Sequence, residues 1–111
     1  MHITEAESVV LGALWRHGAL TFADLIAEVR ARSDWGDATI KTLLHRLMQK
    51  GAVRSEKAEG RQRYHAVLDR RTYVETEIDD LVVRLFGGDR AALRQFLDEG
   101  RASPVAPSGP A

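Results

Sequence analysis

The chain has 111 residues, no cysteine, 16 basic and 16 acidic side chains, and a hydrophobic content of 44%. That length suits one domain, or a small domain with an appendage, and the lack of cysteine excludes disulfides, thiolate chemistry and cysteine-ligated metal. No run approaches the roughly 18 apolar residues of a membrane span, and the opening MHITEAESVV is acidic where an export signal would be basic, so a cytoplasmic protein without membrane contact is expected.

Thr4-Glu5-Ala6-Glu7 is a capping box, the Thr4 hydroxyl taking the Glu7 amide while the Glu7 carboxylate reaches back. It opens a first helix whose apolar stripe includes Ala6, Val9, Val10, Ala13 and Leu14, with Trp15 packing at the core or its rim. Gly18 ends it as a left-handed cap. Thr21 and Asp24 repeat the capping pattern ahead of a second helix, which places Phe22, Leu25, Ile26 and Val29 on one face and fades around Arg32. Ser33-Asp34-Trp35-Gly36 is a turn, and either Gly36 or Asp37 caps the third helix. With Gly36 as the cap, Trp35 and Ile40 occupy the two positions of a hydrophobic staple.

The third helix carries the most information. Ile40, Leu43, Leu44, Leu47 and Met48 fall at helical spacing on one face, and the other face holds Thr39, Lys41, Thr42, His45, Arg46 and Gln49. That polar face contains no carboxylate, whereas a solvated helix face ordinarily mixes both signs, so a polyanion is the expected partner. Gly51 closes the helix. Ala52 to Lys57 and Arg61 to Val67 then form a short antiparallel hairpin around Ala58-Glu59-Gly60, its second strand alternating Arg61, Arg63 and His65 against Gln62, Tyr64 and Ala66.

Charge is segregated even though the total is zero. Residues 1–40 carry a net −3, residues 41–74 a net +6 and residues 75–111 a net −3. The positive block coincides with the third helix and the hairpin, where a DNA-facing surface needs it. Three helices followed by a hairpin is the winged helix-turn-helix order, in which the third helix enters the major groove and the hairpin lies against phosphates. Lys57, Arg61 and Arg63 are the natural phosphate contacts.

Asp69 caps a fourth helix from Arg70 to about Phe86, with Val74, Ile78, Leu81, Val82 and Leu85 as its stripe and Tyr73 and Phe86 at its ends. Gly87-Gly88 breaks it, and Asp89 caps a short fifth helix containing Leu93, Phe96 and Leu97 that fades at Gly100. These apolar residues need a surface to bury against, and the same segment of a second copy supplies one, giving a two-fold homodimer. RASPVAPSGPA is proline-rich and without periodicity, a disordered tail. The expected organisation is a winged-helix DNA-binding domain over 1–67, a helical dimerisation region over 68–100 and a tail over 101–111. The fold class is mainly α with a small β-hairpin wing.

Catalysis finds no support. His2, His17, His45 and His65 lie on different elements without metal-like pairing, and there is no phosphate loop, nucleophile motif or cofactor motif. Glu75, Glu77, Asp79 and Asp80 read as the solvated face of the fourth helix. Two other readings stay open: a winged helix used for protein–protein contact, which would expose an apolar patch on the third helix or wing, and a ligand-gated winged-helix regulator of another class.

The residues also resemble the penicillinase-repressor (BlaI/MecI/CopY) family of bacterial transcriptional repressors. The resemblance spans roughly residues 3–98. It rests on ITEAE followed by Trp15, on Asp34-Trp35, on TIKTLLHRLMQKG (39–51), on RQRYHAV (61–67) and on Gly87-Gly88. It implies an N-terminal winged helix, a C-terminal dimerisation region, and repression by a homodimer on an inverted-repeat operator in double-stranded DNA. By that similarity Thr39, Lys41 and Thr42 approach bases or adjacent phosphates, and Arg46 contacts the backbone or supports the helix. His45, on the same face, is either a DNA contact or a surface residue. In the antibiotic-resistance branch a membrane sensor protease relieves repression by C-terminal cleavage, which implies a regulatory protease as partner and the Gln95–Phe96 bond as its target. The chain departs from the family pattern at Gly36-Asp37, where Ser-Pro is frequent. A carboxylate there suits the helix dipole but would repel phosphate. The cysteines of the copper-responsive branch are absent.

Overall fold

A computed structural model describes residues 1–102, in the order α1 (Glu5–His17), β1 (Leu20–Thr21), α2 (Phe22–Arg30), α3 (Asp37–Gln49), β2 (Val53–Ala58), β3 (Arg61–Ala66), α4 (Arg70–Phe86) and α5 (Arg90–Ala102). The chain divides into two compact units, the first Met1–Arg70 and the second beginning at Arg71. The first unit therefore runs three residues past Val67. Leu68 belongs to it because the Leu68 carbonyl accepts the indole N–H of Trp15 at 2.9 Å and the Leu68 amide bonds to Ala52. α5 passes through Gly100 to Ala102, beyond the expected end, so the start of the expected tail at 101–102 is helical. The rest of that tail lies outside the described residues.

Local chemistry accounts for the helix starts. The Thr4 hydroxyl accepts from the Glu7 amide at 3.1 Å, and Glu7 Oε1 accepts from the Thr4 amide at 2.9 Å, which completes the capping box. Thr21 caps α2 through the Asp24 amide at 3.3 Å. Gly36 is the cap of α3 and offers no side chain to it, which puts Trp35 and Ile40 at the staple positions. Gly18 closes α1 with φ 78° and ψ −155°. That is the extended positive-φ region open to glycine alone, not the left-handed helical cap expected, and it turns the chain directly into β1.

The core of the first unit joins all three helices and the sheet. Val10, Leu11, Ala13 and Leu14 of α1, Leu25 and Val29 of α2, Ile40, Leu43, Leu44 and Leu47 of α3, and Ala52 and Val53 are all buried. Leu11 sits beside the expected stripe of α1 and is fully buried, whereas Ala6 and Val9 are only half-buried. The sheet has three strands in the order β1-β3-β2, so the hairpin gains a short strand that its own sequence does not announce. The hairpin turn is tighter than expected. Ala58 pairs with Arg61, leaving Glu59 and Gly60 as a two-residue connection, both with positive φ (54° and 79°). Such turns match strand twist but favour Asn-Gly, because a side chain at the first position strains the backbone.

In the second unit Val82 is the one buried hydrophobic residue among those described. The Phe86 and Phe96 rings lie 5.9 Å apart, and Arg90 pairs with Asp79 at 3.0 Å. Asp89 receives the Ala91 and Ala92 amides, capping α5. No described helix is long and apolar enough to cross a membrane.

Candidate nucleic-acid interface

The amphipathic pattern of α3 becomes a clean division in space. Ile40, Leu43, Leu44 and Leu47 point into the core, while Thr39, Lys41, Thr42, His45, Arg46 and Gln49 are all exposed. Burying four large apolar side chains on one face, at roughly 1.5–3 kcal/mol each, fixes the rotation of the helix and leaves the carboxylate-poor face outward. The Thr42 hydroxyl donates to the Ala38 carbonyl at 3.0 Å, so what it offers outward is acceptor lone pairs and a methyl group. Lys41, Thr42, His45, Arg46 and Gln49 line one depression along this face. Lys41 and His45 also border a groove of about 260 Å3 with Phe22, Leu44 and Tyr64.

The C-terminal end of α3 is tied to α1 by an ion pair buried on its carboxylate side. Lys50, the C-terminal cap of α3, donates to Glu7 Oε1 at 2.6 Å and to the His2 carbonyl at 2.7 Å. Glu7 is 1% exposed and Lys50 31%. Burial opposes ionisation of Glu7, but hydrogen bonds from Lys50 and from the Thr4 amide outweigh it and hold the carboxyl below its ordinary 4.5. Sequence reading gave Glu7 only a capping role and Lys50 none, because the pair spans 43 residues and no local pattern signals it.

The register of β2 and β3 sorts the wing residues by face, since partners directly opposite share one side of a sheet. Arg54–His65, Glu56–Arg63 and Ala58–Arg61 lie on one face, and Ser55–Tyr64 and Lys57–Gln62 on the other. The Tyr64 ring meets Phe22 of α2 edge-on with centroids 6.5 Å apart. Lys57 thus shares the face turned toward the helices, and Arg61 and Arg63 take the opposite one. Arg63 is 36% exposed, lies 3.8 Å from Glu59, and its Nε has no hydrogen-bond acceptor. Arg54, which sequence reading passed over, is exposed on the same face as Arg61 and Arg63. The alternation of β2 carried that signal.

Two histidines are held in ion pairs, His17 at the end of α1 and His65 on the wing face that carries Arg54, Arg61 and Arg63. His17 pairs with Glu28 at 2.7 Å and His65 with Glu56 at 3.3 Å. No group of three or more metal-ligating side chains occurs among the described residues.

Three helices, a wing and a cationic, outward third helix define the winged helix-turn-helix class of DNA-binding proteins. The profile of the penicillinase repressor family matches residues 3–105. The penicillinase repressor of Bacillus licheniformis is 31% identical over 103 residues, which covers 91% of this chain and 80% of that protein. The methicillin resistance regulatory protein MecI of Staphylococcus aureus is 28% identical over 67 residues, covering 60% of this chain and 54% of its own length. Among solved structures, the monomeric form of Bacillus licheniformis BlaI in complex with the blaP half-operator superposes with a TM-score of 0.60 at 32% identity, over 66% of this chain and 89% of that one. The chain belongs to the penicillinase repressor family, a family of DNA-binding transcriptional repressors and not of enzymes.

Proposed function

We propose that the protein represses transcription as a homodimer bound to a palindromic operator, with one α3 helix in each of two successive major grooves. The observation that carries this reading is the outward face of α3, six exposed hydrogen-bonding or cationic side chains running into an arginine-bearing wing. Thr39, Lys41, Thr42 and His45 approach base edges or adjacent phosphates, and Arg46, Lys57, Arg61 and Arg63 contact the phosphate backbone.

Dimerisation is assigned to the second unit, through Tyr73, Val74, Ile78, Leu81, Val82, Leu85, Phe86, Leu93, Phe96 and Leu97. Val82 is already covered within the chain, but Leu85 is 63% exposed, Phe96 61% and Leu97 58%, and Val83, absent from the expected stripe, is 69% exposed. A helical pair with so much open apolar surface gains by pairing with its own copy. The expected cleavage bond, Gln95–Phe96, lies inside α5. A regulatory protease would have to unwind that helix to reach the bond, and the cut would sever Phe96 and Leu97 from the dimer stripe.

Binding to a duplex carrying the promoter upstream of its own gene, titrated at several salt concentrations, tests the reading. Log affinity should fall with log salt at roughly 0.9 per phosphate neutralised. A salt-independent affinity would overturn the assignment of the basic face.

A further inference from the structure

Asp37 is the first residue of α3 and the only carboxylate on it. It is 63% exposed, and its Oδ1 accepts a hydrogen bond from Arg30 Nη1, in the last turn of α2, at 3.3 Å. In a helix-turn-helix the first residues of the second helix are the ones that reach base edges. A carboxylate at that point is repelled by phosphates on every sequence, so it lowers affinity for DNA in general. Its presence makes sense for a sequence that offers it a donor.

The four bases differ in what they present in the major groove. Guanine shows two acceptors and thymine an acceptor and a methyl group, and both repel a carboxylate. Adenine places the N7 acceptor next to its amino donor. Cytosine alone presents its amino group without an adjacent acceptor. Resting on the repressor reading above, we propose that Asp37 is a specificity-determining residue that accepts a hydrogen bond from the N4 amino group of one cytosine in each half-site. Arg30 balances the carboxylate beside the phosphates. Among the described residues the Asp37 carboxylate accepts from Arg30 and from no helix amide, so it is not committed to capping in place of recognition.

The test is selection of bound sequences from a random duplex pool by the full chain, followed by titration of duplexes that differ only at the selected positions. The wild-type chain should enrich a cytosine at one position per half-site, favoured at least about fivefold over the other bases. Asp37→Ala should level that position and bind random duplex more tightly, because a repulsive charge is gone. Asp37→Asn should move the preference to adenine, whose amino group and N7 fit a side-chain amide. Arg30→Ala should weaken binding to all sequences and leave the base preference in place. A purely structural role for Asp37 would change affinity without changing the selected base, and identical preferences in wild type and both Asp37 variants would overturn the assignment alone. A wild-type chain that retains no duplex would overturn it together with the repressor reading.

Discussion

The Lys50 ammonium lies 2.6 Å from the buried Glu7 carboxylate, tying the C-terminal end of α3 to the first turn of α1. One carboxylate thereby completes a helix cap and anchors the helix assigned to DNA. The two ends of the pair are not equivalent. Lys50→Met leaves a fully buried anion without its partner and should cost about 3–5 kcal/mol, whereas Glu7→Gln leaves an ammonium that water can reach and should cost about 1.5–3 kcal/mol. Thermal unfolding of the two variants checks the order. Equal losses would mean that the burial difference does not matter.

The same pair sets an acid response. The folded-state pKa of Glu7 lies below its ordinary 4.5, so its contribution is complete above that value and drains away as pH falls through the lower folded value. The stability gap between wild type and Glu7→Gln should be constant near neutral pH and narrow below about pH 4.5. Urea unfolding between pH 7 and 3 measures it, and a gap that widens in acid would reverse the sign of the argument.

Glu59 strains the wing turn with φ 54° and places a carboxylate 3.8 Å from Arg63. Glu59→Asn should relieve both, raising stability by about 1 kcal/mol and tightening binding to any duplex. Tighter binding confined to one sequence would contradict the phosphate role of Arg63.

How much of this was open to sequence reading depends on how local the cause is. The caps at Thr4, Thr21 and Asp89 and the inward stripe of α3 were legible, because each depends on residues within a turn or two. The lysine–glutamate pair, the strand at Leu20–Thr21 and the Trp15–Leu68 bond were not, because each joins segments that composition and period cannot relate. The wing is legible, but its turn is one residue shorter than the sequence suggests, since glutamate is a poor signal for a position with positive φ. Arg61, Arg63 and Lys57 look alike in sequence, and only the strand register separates Lys57 from the two arginines.

Base-reading and backbone-holding residues should separate in binding experiments. Lys41→Ala or Thr42→Ala should reduce the preference for the operator over random DNA by about 1–3 kcal/mol. Arg63→Ala should weaken both about equally. Parallel titrations against the two duplexes decide it, and equal losses for all three variants would remove the base-reading role from α3.

The assembly is open to direct measurement. At 12.3 kDa per chain, light scattering should report about 25 kDa for a two-fold homodimer, and Leu85→Glu or Leu97→Glu should halve it. A chain ending at Arg70 should be monomeric. A dimer from that fragment would place the interface in the first unit.

The central claim is that the exposed face of α3 and the wing meet the duplex, and backbone NMR mapping of the labelled protein against an operator duplex tests it most directly. The largest shift changes should cluster at Thr39–Gln49 and Lys57–Arg63. Changes confined to α4 and α5, with α3 silent, would contradict it.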